Sequence, residues 1–435
     1  MKQLNIIPDA KRGNLLQLLV LFVIPICIVL SKEAALAAKL DTSNAGSSQS
    51  HLVFINTSFE NACPLYWEIN SKGIANVYLV YDQERSSRNR ANGHWFFQLQ
   101  AKKGSDLTII LNNFDNIWNG RKGSPISDQT ICFTSNDGRK WRAVGTKKID
   151  GNRLKLQVHM DWDRLFVARL EPYRLSDLEK LKKEIHNHRF VAILPIGHTI
   201  EGRELEIIRI GNPDAPYRVL IRARAHPWES GGSWVLQGLI KRLLCDDKDS
   251  RRYLSKYCVY IMPMANKDGV VRGRTRFNML GKDLNRNWDE TADQHYAPEN
   301  YALESWINSM ISKGKTPHLA IDLHNDASGK LHISRPKIDL ENYLNCMEYL
   351  EQLLRKYTWF TEGSTGKGYR NPGTFGEGLL ERYGIVACVL ELNANWIAGL
   401  KQYPYGKNWE LFGRQLCEVF FHYFDSKLCE LDSKS

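Results

Sequence analysis

Between His51 and Leu170 the apolar residues recur in short alternating runs: Leu52–Ile55, Val77–Tyr81, His94–Leu99, Leu107–Leu111, Leu154–Val158 and Leu165–Leu170. Turn-forming stretches such as Asn136-Asp-Gly138 and Asp150-Gly-Asn152 separate runs, and no helical period intervenes. Closely spaced short β runs of this kind predict a small antiparallel β-sandwich over residues 51–172. Its large aromatics, Trp67, Trp95, Trp118, Trp141 and Trp162, are expected in core and interface packing, and the segment shows no chemistry of its own.

The period then changes. Ser176-Asp-Leu-Glu179 reads as a capping box, and Leu178, Leu181 and Ile185 follow at helical spacing. Beyond it, strand-like runs at Leu205–Ile210, Val219–Ala225, Cys258–Met264, Leu319–Leu323 and Ile385–Leu390 alternate with helical runs. Those helical runs are Ser233–Leu244, Tyr301–Ile311, Glu341–Tyr357 and Trp409–Phe424. Such alternation predicts that residues 173–428 form an α/β domain, a doubly wound and mostly parallel sheet that collects ligands at the carboxyl ends of its strands.

The amino terminus has a different character. Lys11 and Arg12 precede an apolar stretch from Leu15 to Leu30, and small residues follow at Ala35-Leu36-Ala37. Because the apolar stretch falls short of the ~20 residues of a spanning helix, residues 1–38 read as a signal peptide, with a membrane anchor as the alternative. The expected location is secreted or periplasmic, or tethered to a membrane with the rest of the chain exported. Residues 39–50, rich in Ser, Asn and Gly, read as a linker.

With 43% hydrophobic and 25% charged residues, the chain has an ordinary globular composition. The formal charge of +11 implies attraction for anions. Its basic residues are scattered rather than clustered with aromatics, which argues against nucleic acid as a partner. Leaving aside Cys27 in the apolar stretch, Cys63, Cys132, Cys245, Cys258, Cys346, Cys388, Cys417 and Cys429 permit disulfides in an exported chain. None has the Cys-x-x-Cys spacing of a thiolate metal site.

Chemistry concentrates where the strand-like runs end. His226 and Glu229 stand three apart in the His-Pro-Trp-Glu turn after Val219–Ala225, within reach of one zinc ion, which takes nitrogen and oxygen ligands. Ile321-Asp-Leu-His324 ends a second run, and alternation puts Asp322 and His324 on one side of it. Two histidines and a carboxylate from separate strand ends leave the fourth zinc position to water, and Glu391, ending a third run, offers a base. Between these lie Asn266-Lys-Asp-Gly-Val270, Arg276 and Gly281-Lys-Asp-Leu-Asn-Arg-Asn-Trp288, whose arginines and asparagine suit an anion such as a carboxylate. Read without further context, Asp283 with Arg286 is an ordinary loop ion pair, Asp322 a turn cap, and His94, His159, His318 and His332 ordinary surface or core residues.

These motifs, together with Gly197-His-Thr-Ile-Glu-Gly-Arg203, resemble in order and spacing the zinc metallocarboxypeptidases, and within them the branch similar to cytosolic carboxypeptidases, which carries a β-sandwich before its catalytic domain. The resemblance covers residues 51 to 425. It implies one Zn2+ held by His226, Glu229 and His324, with Asp283 fixing the tautomer of His226. It further implies that Asn285 and Arg286 clamp a terminal carboxylate, that Arg276 stabilises the oxyanion, and that Glu391 is the general base. Tyr369 is the expected tyrosine of the site, with Tyr383 and Tyr403 as rivals. The implied substrates are peptide or protein C-termini. The alternative is a zinc amidase or deacylase acting on cell-wall peptides or N-acyl amino acids. Two departures stand out: Lys267 replaces the usual proline of Asn-Pro-Asp-Gly, and Asn371-Pro-Gly-Thr-Phe-Gly-Glu-Gly378 replaces a Gly-Thr-x-Arg segment whose arginine receives an acidic side chain. Arg370 and Glu377 therefore leave the preferred last residue open.

Overall fold

The alternating runs of the first third build two five-stranded sheets around a shared core. In the computed structural model, which describes residues 51–335, 340–366 and 371–426, one sheet runs Leu52–Asn56, Phe96–Ala101, Arg164–Ala168, Ile131–Ser135, Arg142–Gly145. The other runs Lys147–Ile149, Arg153–His159, Asp106–Asn112, Ala75–Leu79, Leu65–Ile69. Side chains from both sheets, among them Val77, Phe97, Leu99, Leu111, Leu156 and Val167, bury one apolar cluster. The expected antiparallel pattern has one exception, because Ala75–Leu79 and Asp106–Asn112 pair in parallel. Between those two strands the chain crosses to the other sheet as Phe96–Ala101, and a long crossover of this kind permits parallel pairing. A further small sheet joins Asp82–Gln83 and Arg90–Ala91 from that connection with Asn116–Trp118 and Arg121–Gly123, which follow Asp106–Asn112.

The later residues form a seven-stranded mixed sheet in the order Val191–His198, Glu204–Ile210, Tyr257–Met262, Tyr217–Ala223, Leu319–Asp326, Ala387–Asn393, Leu331–Ile333. The four strands from Tyr257–Met262 to Ala387–Asn393 are mutually parallel, whereas the remaining three pairings are antiparallel. The sheet is thus less parallel than the alternation predicts. Val191–His198 and Glu204–Ile210 are joined by five residues, too few for the crossover that a parallel neighbour needs.

Alternation along Tyr217–Ala223 sends Val219, Ile221 and Ala223 to one apolar cluster and Leu220 to another. The first cluster is covered by helices Leu175–Ile185, Gly231–Leu243, Glu341–Tyr357 and Gly406–Tyr423, the second by Pro298–Ser312 and Phe375–Tyr383. The first of these helices starts differently from its expected cap. Arg174 precedes it, and the Asp177 carboxylate accepts the Arg174 backbone N–H at 2.8 Å, while Glu60 takes the N–H of Ser176 at 3.0 Å.

Cys63, Cys132, Cys245, Cys258, Cys346, Cys388 and Cys417 are free thiols. Cys429, the expected signal segment and the linker lie outside the described residues. Among the described residues no helix is long and apolar enough to cross a membrane.

Candidate active site

The three parallel strands Tyr217–Ala223, Leu319–Asp326 and Ala387–Asn393 end side by side, with His324 opposite Glu391 in the register. After Ala223 the chain turns sharply through Arg224, whose φ is 61°, and presents His226 and Glu229 before entering the Gly231–Leu243 helix. The helix docks directly on its neighbour. The Gly231 N–H donates to Asn325 Oδ1 at 2.9 Å, and a Cβ at Gly231 would stand 2.7 Å from that oxygen, so only glycine fits.

His226, Glu229 and His324 converge, all buried. His226 Nδ1 lies 2.8 Å from Glu229 Oε1, His324 Nδ1 lies 2.7 Å from Glu229 Oε2, and the two Nδ1 atoms are 3.2 Å apart. A tetrahedral ion with bonds of ~2.0–2.2 Å holds its ligand atoms a little over 3 Å apart, so the donor set fits zinc. The opposite ring nitrogens are accounted for. His226 Nε2 faces Asp283 Oδ1 at 3.0 Å and His324 Nε2 faces Asp322 Oδ2 at 2.7 Å. Those carboxylates favour the Nε2–H tautomers and turn both Nδ1 lone pairs inward. Glu229 Oε2 has no hydrogen-bond partner despite its proximity to His324, as expected of an atom aimed at a cation.

Electrostatics reinforce that preference for positive charge. Burial works to raise the Glu229 carboxyl, but His226 and His324 outweigh it and hold it down at about 2. Burial likewise opposes protonation of His324, yet Asp322 and Glu229 carry it well above its ordinary value. Asp322 itself is anchored by the buried Arg222, which meets it through two hydrogen bonds of 2.9 and 2.5 Å.

The other residues singled out by sequence surround the same cavity of about 460 Å³, which Arg276, Asn285, Arg286 and Glu391 line together with His226 and Glu229. Arg276 grips Asp283 Oδ2 through Nε at 2.8 Å and Nη2 at 2.7 Å. Asn285 Oδ1 accepts the Phe375 N–H at 2.9 Å, which fixes the amide with its NH2 group as the available donor. Arg286 spends one contact on the Asn285 carbonyl, 2.7 Å away, and makes no ion pair among the described residues. Glu391 Oε2 is buried without a hydrogen-bond partner, and burial followed by the nearby Asp326 carboxylate pushes this carboxyl well above its usual range. Tyr369 and Arg370 lie outside the described residues. Tyr383 donates to Glu304 at 3.1 Å and Tyr403 packs edge-on against Trp396, and neither lines the cavity.

Several neighbours of the site differ from their sequence reading. Asp322 is the partner of His324 rather than a turn cap, and its i, i+2 spacing was the available signal. His332 lines the cavity instead of lying elsewhere, and its ring and Asp326 approach Glu391, with donor atoms all within 4.8 Å of one another. The N-terminal β layers, which show no chemistry in sequence, build a wall of the cavity with Asn92, Asn116, Trp118, Pro125 and Arg169. The two landmark motifs outside the cavity have a structural task. Asp268 of the Asn-Lys-Asp-Gly turn accepts from Thr199 at 2.8 Å, Arg203 at 2.6 Å and the Glu201 N–H at 2.8 Å. Lys267, standing in the place of proline, pairs with buried Glu206 at 2.5 Å.

Residues 177–364 match a family described as zinc carboxypeptidase. This segment is similar to zinc carboxypeptidases. Similar proteins include cytosolic carboxypeptidase 3 of Mus musculus, 29% identical over 171 residues that make up 37% of this chain and 17% of that protein. Cytosolic carboxypeptidase 2 of Xenopus tropicalis is 27% identical over 224 residues, 45% of this chain and 23% of that one. The chain therefore matches less than a quarter of either relative's length. Among solved structures, a metallo-carboxypeptidase of Burkholderia cenocepacia superposes with a TM-score of 0.73 at 20% identity, covering 86% of this chain and 98% of its own. One of Pseudomonas aeruginosa, solved with (2-guanidinoethylmercapto)succinic acid, gives 0.73 at 21% identity over 86% and 99%. Both likenesses extend over the β layers as well as the segment 177–364, so the described fold is carboxypeptidase-like.

Proposed function

We propose that this chain is a zinc-dependent carboxypeptidase hydrolysing the C-terminal peptide bond of peptides or proteins, with His226, Glu229 and His324 as the zinc ligands. One observation carries the reading. His226 and Glu229, whose ligand atoms converge with that of His324, line one cavity together with Glu391, which has a buried carboxylate oxygen without a hydrogen-bond partner, and with Asn285 and Arg286. Zinc bound there supplies an acidified water and a polarised carbonyl. Glu391 takes the proton of the attacking water and passes it to the leaving amine, a role that suits a carboxyl whose affinity for protons is raised. Asn285 Nδ2 and Arg286 hold the terminal carboxylate in charge-assisted hydrogen bonds. Arg276, aligned by Asp283, stands beside the ligands to meet the charge that develops on the carbonyl oxygen.

Helices on both faces of the seven-stranded sheet support a doubly wound reading of a domain at 173–428, with the paired sheets as a second domain at 51–172. The basic, apolar and small-residue succession of residues 1–38 supports export. The clamp distinguishes exopeptidase from amidase chemistry. A peptide with a free C-terminus should be cleaved and its C-terminal amide should not, as read by mass spectrometry. Equal turnover of the two overturns the clamp.

A further inference from the structure

We propose that Asp82, on the small sheet of the N-terminal half, is a positioning residue for the reaction, acting on Arg276 through the backbone of its loop. The inference rests on the carboxypeptidase reading of the site. Asp82 is buried, and a single oxygen, Oδ2, accepts the backbone N–H groups of both Thr275 and Arg276 at 2.7 Å each. Its other oxygen faces Arg274 Nη1 at 3.5 Å. Two short bonds to consecutive amides fix the peptide plane from which the Arg276 side chain departs, and that side chain is the one gripping Asp283.

The same point is held from other directions. Thr275 Oγ1 accepts the N–H groups of Gly93 and His94 at 3.2 Å each, and the Thr275 carbonyl accepts the N–H of Trp228, inside the turn that carries His226 and Glu229, at 3.4 Å. Asn61 Nδ2 donates to Val270 O at 2.7 Å, and the Arg85 N–H to Gly281 O at 2.8 Å, so both ends of the Val270–Gly281 loop are docked on the N-terminal half. Asp82 differs from these docking contacts in being charged and in touching Arg276 itself. The sheet that carries it also offers Asn116 and Trp118 to the cavity wall, so one small element both shapes the cavity and sets a charged group within it. The N-terminal half is on this view a part of the catalytic apparatus.

A positioned transition-state group affects turnover more than substrate binding. The test is a kinetic cycle on zinc-loaded full-length protein with a free-acid peptide: wild type, Asp82→Ala, Asp82→Asn, Arg276→Ala and Asp82→Ala/Arg276→Ala. We expect Asp82→Ala to lower kcat by about 10- to 100-fold, the range for residues that orient a reactive group, with KM within about threefold and zinc content unchanged. Asp82→Asn, which keeps an acceptor oxygen, should recover most of the loss, and the double variant should be no worse than Arg276→Ala alone. Wild-type kcat in Asp82→Ala, losses that multiply in the double variant, or loss of zinc overturns the proposal. Should the alanine variant not fold, Asp82→Ser carries the same expectation, since Asp82 borders a cavity of about 260 Å³ that leaves room for a water. A wild type that turns over no peptide overturns the carboxypeptidase reading, and this proposal with it. An active wild type with an insensitive Asp82 overturns the positioning role alone.

Discussion

Asp322 Oδ2 lies 2.7 Å from Nε2 of His324, two residues along the same strand, while both of its oxygens are held by the buried guanidinium of Arg222. One carboxylate thus orients a proposed zinc ligand and neutralises a buried cation. Asp322→Asn should weaken zinc binding by about 10- to 100-fold, as loss of an orienting partner does. It should also destabilise the fold by about 3 kcal/mol, because Arg222 keeps its charge without its counter-ion. Competition with a zinc chelator and a thermal melt measure the two effects separately.

Arg286 makes no ion pair among the described residues, so its replacement removes no stabilising contact of that kind. Arg286→Ala should melt as the wild type does but lower kcat/KM for free-acid peptides by about 10- to 100-fold, the worth of a charge-assisted hydrogen bond of ~1.5–3 kcal/mol. The loss should appear mainly in KM, and steady-state kinetics over a range of peptide concentrations reads it. A wild-type KM removes Arg286 from the clamp.

The buried Glu299 carboxyl is pushed by desolvation from 4.5 to about 7, and its Oε1 has no hydrogen-bond partner. A carboxyl whose folded pKa is raised binds its proton more tightly when folded. The stability it contributes is therefore complete below its unfolded value and is lost as pH rises through the folded one. Relative to Glu299→Gln, the wild type should lose roughly 3 kcal/mol as pH rises from 4.5 to 7. Denaturation midpoints of the two proteins across that range should diverge, and parallel curves would remove the effect.

Helices Gly231–Leu243 and Gly406–Tyr423 meet backbone to backbone, with Gly238 against Glu410 and Gly413 against the Val235 carbonyl. A methyl group at either position has no space. Although alanine is the better helix former, Gly413→Ala should lower stability by about 1–3 kcal/mol or more by overpacking. A raised melting temperature would contradict this packing.

Much of the site was legible because its residues follow strand ends, where local pattern and chemistry coincide. His226, Glu229, His324 and Glu391 come together as the alternation of strands and helices implies, and Asp283, Asn285 and Arg286 share one short loop beside them. The N-terminal contribution was not legible. The contact of Asp82 with Thr275 joins residues 193 positions apart, and no periodicity reports which edge of a sandwich will face a loop of the next layer. His332 was passed over for a related reason: the short strand Leu331–Ile333 becomes visible only through its pairing with Ala387–Asn393. The mixed character of the sheet depends in the same way on loop length at its edges rather than on the apolar runs themselves.

The central claim is tested most directly by the masses of the products formed from peptides of known sequence by zinc-loaded wild type and by Glu391→Gln. The wild type should release single residues from free C-termini, while Glu391→Gln binds zinc and releases none. Internal cleavage, release of an acyl group, or turnover that survives removal of zinc would contradict it.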